Sequence, residues 1–197
     1  MLIVAINGSP NPDGNTAHLL KQILAAIPAD HAQTALLQAD EIIEASGPPF
    51  CHVCATPCPG ACYQGTPLAD AFAQLAEADA IILGSPVYFG TITAPLKALF
   101  DKSRKLRAEK ALLNTIGAAV AVGAARFGGQ ETTVRALHDI MLVHGMILVG
   151  DGDASSDCGH HGVCAQRPAQ EDAFAQGRTQ SLAKRIVTVA KATQTIR

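Results

Sequence analysis

Four of the chain's six cysteines fall within twelve residues, in the run Cys51-His52-Val53-Cys54-Ala55-Thr56-Pro57-Cys58-Pro59-Gly60-Ala61-Cys62. Thiolates are strong nucleophiles and soft metal ligands. A compact irregular loop can wrap four of them around a [4Fe–4S] cubane, which makes Cys51, Cys54, Cys58 and Cys62 its candidate ligands. The same donors also suit a tetrahedral zinc ion, with His52 available in place of one thiol. Free or disulfide-forming thiols are the third reading. Tyrosine-phosphatase chemistry is excluded, because no cysteine has an arginine six positions later. A second group, Cys158, His160, His161 and Cys164, has donors suited to a metal but no recognised zinc spacing. An ordinary loop competes with a metal site there.

Three further segments carry chemistry. Gly8-Ser9-Pro10-Asn11-Pro12-Asp13-Gly14-Asn15-Thr16 runs from an apolar stretch into a helical one. Small side chains let backbone N–H groups close on an anion, and a helix N-terminus adds favourable partial charge. A Walker A loop has four residues between its glycines and then a lysine. Here five separate Gly8 from Gly14, and Asn15 stands at the lysine position. Such a loop suits a single, statically bound phosphate, as in FMN; a plain strand-to-helix turn is the alternative. The next segment is Gly84-Ser85-Pro86-Val87-Tyr88-Phe89-Gly90-Thr91, with two adjacent aromatics in a chain that has only eight. A planar ring system would account for them, unless Phe89 simply packs beneath the following helix. Last comes Gly123-Ala124-Ala125-Arg126-Phe127-Gly128-Gly129-Gln130-Glu131-Thr132-Thr133. Its paired glycines permit close backbone approach, and Arg126 either neutralises a phosphate or reduced flavin or is a solvated surface charge.

The positioning elements are legible as two alternating patterns. Short apolar runs at Leu2–Asn7, Thr34–Gln38, Ala80–Gly84, Ile116–Val122 and Met146–Val149 read as strands. Stretches with three- and four-residue apolar spacing read as helices over Thr16–Ile27, Pro67–Glu77, Pro95–Arg107, Glu131–Val143 and Asp172–Ala192. Five strands alternating with five helices predict one α/β domain over residues 1–197, its parallel sheet covered on both faces. Residues 40–65 form a long cysteine-rich loop insertion. In such a sheet ligands bind beyond the carboxyl ends of the strands, where these three loops lie.

Taken together, these loops resemble those of the NADPH-dependent FMN reductase superfamily, and within it the iron–sulfur flavoproteins. The likeness spans residues 1 to about 150. It implies a flavodoxin-like three-layer α/β/α sandwich with a five-stranded parallel sheet. It also implies that Ser9, Asn11, Asn15 and Thr16 hold the FMN phosphate. Pro86, Val87, Tyr88, Phe89 and Gly90 would line the isoalloxazine, with Ala124, Arg126, Gly128 and Gly129 closing its other side. The family pattern reads C-x2-C-x2-C-x5-C, whereas this chain reads C-x2-C-x3-C-x3-C, which sets the third cysteine one place later. The resemblance further implies a homodimer or homotetramer.

Composition bounds the rest. Of 197 residues 48% are hydrophobic and 16% charged, with a formal net charge of −2, which allows a large buried core and excludes wholesale disorder. Lys and Arg are scattered, aromatics make up 4% and Trp is absent, so nucleic acid is not an expected partner. No apolar stretch approaches the length of a membrane span, and no signal peptide is legible at Leu2–Asn7; the cytoplasm is the expected location. The leading expectation is an FMN-dependent oxidoreductase that passes electrons between a [4Fe–4S] cluster and FMN, with ferredoxin or NAD(P)H as redox partner. An NAD(P)H-dependent FMN or quinone reductase without a cluster, a flavodoxin-like carrier, and a non-flavin phosphate-binding domain are the rivals. No side-chain acid, base or nucleophile is required, because the flavin carries the chemistry.

Overall fold

Along β1 (Leu2–Asn7), Ile3 and Ala5 point to one face of a sheet while Val4 and Ile6 point to the other, and all four are fully buried. β3 (Ala80–Pro86) and β4 (Ile116–Gly123) repeat this two-sided burial. Strands buried on both faces need helices on both, and that demand generates the architecture. The computed structural model describes residues 1–197.

β2 (Gln33–Gln38) pairs with β1, and β5 (Ile147–Leu148) and β6 (Val163–Gln166) both pair with β4. All pairings are parallel, in the order β2-β1-β3-β4-β5. α1 (Asn15–Ala25) and α7 (Ala173–Thr193) cover one face through Leu19, Leu20, Ile23, Leu182 and Ile186. The other face carries α2 (Ala39–Glu44), α3 (Pro67–Glu77), α4 (Ala94–Asp101), α5 (Arg104–Ala108) and α6 (Gln130–Val143). The result is the flavodoxin-like three-layer sandwich. In this strand order the chain leaves β1 and β3 toward opposite sides, which opens a crevice beyond their carboxyl ends. No helix is long and apolar enough to cross a membrane.

Three sequence expectations need correction. The helix expected over Pro95–Arg107 is two helices, α4 and α5. They break at Ser103, whose Oγ donates to the carbonyl of Phe100 (2.7 Å) and lies 2.9 Å from Nε2 of the buried His144. A serine side chain that bonds a nearby carbonyl competes with the helix ladder. The loop expected over 40–65 begins with α2, held by Ser46, whose Oγ donates to Ile42 O (2.6 Å) and accepts from Leu68 N at the start of α3 (3.0 Å). It closes with a single 3-10 turn, Ala61–Tyr63. The strand expected over Met146–Val149 is present as the two-residue β5, and a further short strand, β6, also lies along β4, which gives the sheet six strands. β5 pairs with the start of β4 at Ile116 and Gly117, and β6 with its end from Val120 to Gly123.

Residues 149–162 leave the sheet between these two segments and are pinned by one arginine. Arg178 of α7 donates from Nε to Asp151 Oδ2 (2.7 Å), from Nη2 to Asp151 Oδ1 (3.1 Å) and O (2.8 Å), and from Nη1 to Asp157 Oδ1 (3.0 Å). The Arg178 and Asp151 side chains are only 8% and 2% exposed. Breaking a buried pair strands the surviving charge, at a cost of about 3–5 kcal/mol. Arg178→Met should therefore lower stability by about that amount in urea unfolding. Adding Asp151→Asn should recover part of the loss, and a single mutant as stable as the parent would show that the pair holds nothing.

Candidate functional site

The crevice is organised from β1. The side chain of Asn7, fully buried at the strand end, donates to Gln38 Oε1 (2.7 Å) and accepts from Ser9 N (3.1 Å). Gln38 Nε2 in turn donates to Ser9 O (2.5 Å). Gly8 N donates to Gly84 O at 2.7 Å, an approach that a side chain would prevent, since a Cβ on Gly8 would stand 2.8 Å from that oxygen. Ser9 Oγ accepts from Asn11 N (3.2 Å), and Asn11, itself exposed, accepts from Asp13 N through Oδ1 (3.0 Å).

This turn delivers the chain into α1 with Gly14 as N-cap, no side-chain cap and no acidic residue in the first turn. The opening N–H groups of α1 therefore keep their donors, and the positive end of the helix dipole faces no carboxylate of its own. Ser9 and Thr16 lie nearly buried beside it. Asn15 is half-buried, and its Oδ1 accepts from Ala169 N (2.7 Å), which fixes the side chain and leaves its amide N–H groups to donate. Chemically this is an anion cradle without a cationic side chain.

The second loop is fastened to the first by Thr93, whose Oγ1 donates to Gly8 O (2.6 Å) and whose N–H donates to Ser85 Oγ (3.2 Å). Between Pro86 and Thr93 the chain makes a tight hairpin in which Tyr88 and Thr91 exchange N–H···O bonds (2.9 and 3.2 Å). Phe89 and Gly90 at its tip have φ of 52° and 79°, as a primed turn requires. Phe89 does not pack under the following helix, because its side chain is fully exposed. The third loop meets this hairpin. Thr132 Oγ1 donates to Gly90 O (2.8 Å), and a Cβ on Gly129 (φ 96°) would stand 3.1 Å from the Gly90 Cα. Gln130 supports the loop from below, donating to Ala125 O (2.6 Å) and Ala165 O (3.2 Å) and accepting from Gly128 N (2.9 Å). Ala124, Arg126, Phe127 and Gly128 are exposed above it, with the Arg126 guanidinium 5.8 Å from the Phe127 ring centre. Asn7, Gln38 and Thr93 lie outside the segments that the sequence points to, while Gln130 and Thr132 belong to the third of them without an assigned role. Their one visible signal is a polar residue placed immediately at a strand end or helix start.

All four clustered cysteines, with His52, Lys102 and Arg104, line one cavity of about 130 Å³. Arg104 reaches the loop backbone, donating to Ala55 O (3.3 Å) and Thr56 Oγ1 (3.2 Å). No three His, Cys, Asp or Glu side chains converge closely enough to hold a single ion. A tetrahedral zinc would draw its thiolates to within about 4 Å of one another, given Zn–S bonds near 2.3 Å. Four thiols share this cavity and no carboxylate lines it. Beneath the loop, Tyr63 stacks edge-on against Phe72 (5.0 Å), and its hydroxyl is pushed up to about 12, chiefly by burial and then by Cys58 and Cys62. It stays a neutral phenol.

The second cysteine–histidine group does not gather. Cys158 and His160 are exposed on the excursion, whereas Cys164 lies in β6. His161 approaches His138 of α6 instead (ring centres 6.3 Å apart), and burial followed by that neighbour lowers the His138 pKa. Burial first, then Glu131 and Asp151, pushes the Cys164 thiol up to about 12. A thiol held that far above its ordinary value is a poor nucleophile at neutral pH. In cluster-free protein, iodoacetamide at pH 8 should label Cys164 about a thousandfold more slowly than an unperturbed thiol. Mass spectrometry of labelled peptides checks this, and labelling of Cys164 before unfolding would contradict it.

The family model for NADPH-dependent FMN reductase matches residues 1–161. An iron–sulfur flavoprotein of Methanocaldococcus jannaschii is 40% identical over 194 residues, covering 97% of this chain and 98% of that protein. An iron–sulfur flavoprotein of Methanosarcina thermophila is 34% identical, over 96% of this chain and 95% of the relative. An NAD(P)H dehydrogenase (quinone) of Trichlorobacter lovleyi is 44% identical, over 39% of this chain and 38% of the relative. Among solved structures, the WrbA-like flavodoxin of Agrobacterium tumefaciens superposes with a TM-score of 0.70 at 19% identity, covering 97% of this chain and 98% of the other. An NADH:FMN oxidoreductase in its apo form gives a TM-score of 0.67 at 17% identity, covering 95% and 88%. These two likenesses bear on the fold, and the family match with the full-length relatives bears on kinship: the chain belongs to the NADPH-dependent FMN reductase family, in its iron–sulfur flavoprotein branch, and is an FMN-dependent oxidoreductase.

Proposed function

We propose that this oxidoreductase passes electrons between a [4Fe–4S] cluster held by Cys51, Cys54, Cys58 and Cys62 and an FMN bound at the crevice. The observation that carries the flavin half is the uncapped first turn of α1, with Ser9 and Thr16 beside it and two loops fastened around it through Thr93 and Thr132. In this reading Ser9, Asn11, Asn15 and Thr16 take the phosphate. Pro86 to Gly90 line one side of the ring, and Ala124, Arg126, Gly128 and Gly129 close the other. When bound, the flavin supplies hydride and single-electron chemistry, while the protein orients it and sets the surrounding charge.

The cysteine half rests on four thiols sharing one cavity and on relatives named iron–sulfur flavoproteins. α4 joins the halves. Its N-cap Thr93 bonds Gly8 at the crevice, and Lys102, just past its last residue, lines the cysteine cavity. Eight residues of helix separate them by about 12 Å. The electron donor in this reading is NAD(P)H or a reduced ferredoxin. The exposed rings of Tyr88, Phe89 and Phe127 at the crevice rim favour assembly as a homodimer or homotetramer.

Two experiments test the halves separately. Titrating apoprotein with FMN should give one flavin per chain, and Thr16→Val or Ser9→Ala should weaken FMN by about 10- to 100-fold, as expected for a lost hydrogen bond to a charged group. Riboflavin, which has no phosphate, should bind parent and variants alike; equal loss for both ligands would place the phosphate elsewhere. Replacing Cys54 or Cys62 with Ala should remove iron and acid-labile sulfide and leave the flavin in place. Joint loss of metal and flavin would show that the two loops do not divide the labour in this way.

A further inference from the structure

Lys102 is 3% exposed, yet it lines the cavity shared by the four cysteines. A cation withdrawn from bulk water is costly unless an anion compensates it. No carboxylate lines this cavity, and the partly buried Arg104 adds a second positive charge. Arg104 is engaged with the loop through Ala55 and Thr56, whereas Lys102 stands just past the last residue of α4 and has no such bond to the loop. The groups in the cavity suited to carry negative charge are the thiols themselves. A four-iron, four-sulfide core ligated by four thiolates carries net negative charge, and more of it after reduction.

We infer that Lys102 is the built-in countercharge of the thiolate-ligated centre and tunes its reduction potential upward. The inference rests on the cluster reading given above. In a bound cluster an added electron would make and break no bond, and an ammonium at this cavity would stabilise the more negative product over the less negative reactant. Its compact, flexible point charge distinguishes it from the planar fork of Arg104. Lys102 is thus a positioning residue for charge and contacts no substrate.

The test is a spectroelectrochemical titration with dithionite on anaerobically purified holoprotein, with iron, acid-labile sulfide and flavin measured on each sample. Lys102→Met should retain flavin and shift the cluster midpoint to a more negative potential, whereas Lys102→Arg should stay near the parent. Lys97→Met removes the same unit of charge from the exposed pair with Asp101 and should leave the midpoint unmoved. A fully loaded Lys102→Met with the parental midpoint would overturn the inference, as would an equal shift in Lys97→Met. Cluster loss in Lys102→Met rescued by Lys102→Arg would support it, and cluster loss in both would overturn it. If Lys102→Met fails to fold, Lys102→Gln is carried through the same titration. Parent protein that takes up FMN but neither iron nor sulfide would instead defeat the cluster reading, and this inference with it.

Discussion

Both backbone groups of Gly8 are committed to the neighbouring loop: its N–H reaches Gly84 O and its carbonyl receives the Thr93 hydroxyl. This junction is the constraint on which the crevice depends. It holds the turn before α1 against the carboxyl end of β3, and it sets the start of α4 in the same stroke. The contact is possible because nothing projects from the Gly8 Cα; a Cβ would also meet the Leu96 side chain at 2.8 Å. The uncapped start of α1, the hairpin with Phe89 and Gly90 at its tip and the helix leading to the cysteines are thus referred to one point in the sheet.

Around that point the protein spends its apolar surface on rigidity and pairs the polar groups that hold the loops together. The two faces of the sheet bury separate hydrophobic clusters, and the polar side chains that brace the crevice find partners, as Asn7 does with Gln38 and Thr93 with Gly8. Side chains left facing outward at the crevice are the exception, namely the rings of Tyr88, Phe89 and Phe127 and the Arg126 guanidinium. Phe89 also sits in a left-handed backbone conformation that a bulky residue adopts only where the surroundings compel it. Such strain gathers where ligands or partners are met.

Much of this was legible in the residues. The apolar runs that became β1, β3 and β4 are continuous because both faces are buried, and helix spacing marked Pro67–Glu77 to the residue. What escaped was decided by tertiary contacts. α2 is too short to show a period and exists because Ser46 couples it to α3. β6 has four residues flanked by glycine, histidine and proline, and becomes a strand because the end of β4 offers it a partner. At the site, the loops were found through their glycines, hydroxyls and aromatics. The residues that brace them were not, because a threonine or glutamine at an element boundary looks the same whether or not it bridges two loops. Lys102 is the sharpest case, since it is buried beside four thiols at the break between α4 and α5, and neither feature is visible in its own residue type.

The pair of short strands along β4 has a bearing beyond topology. An uninterrupted outer strand would present a long ladder of free N–H and C=O groups, a template for sheet-to-sheet association in a crowded solution. Here that margin consists of a two-residue piece and a four-residue piece, separated by a detour that Arg178 keeps in place. The sheet is consequently blunted on this side, so copies of the protein that meet here have no strand long enough to extend.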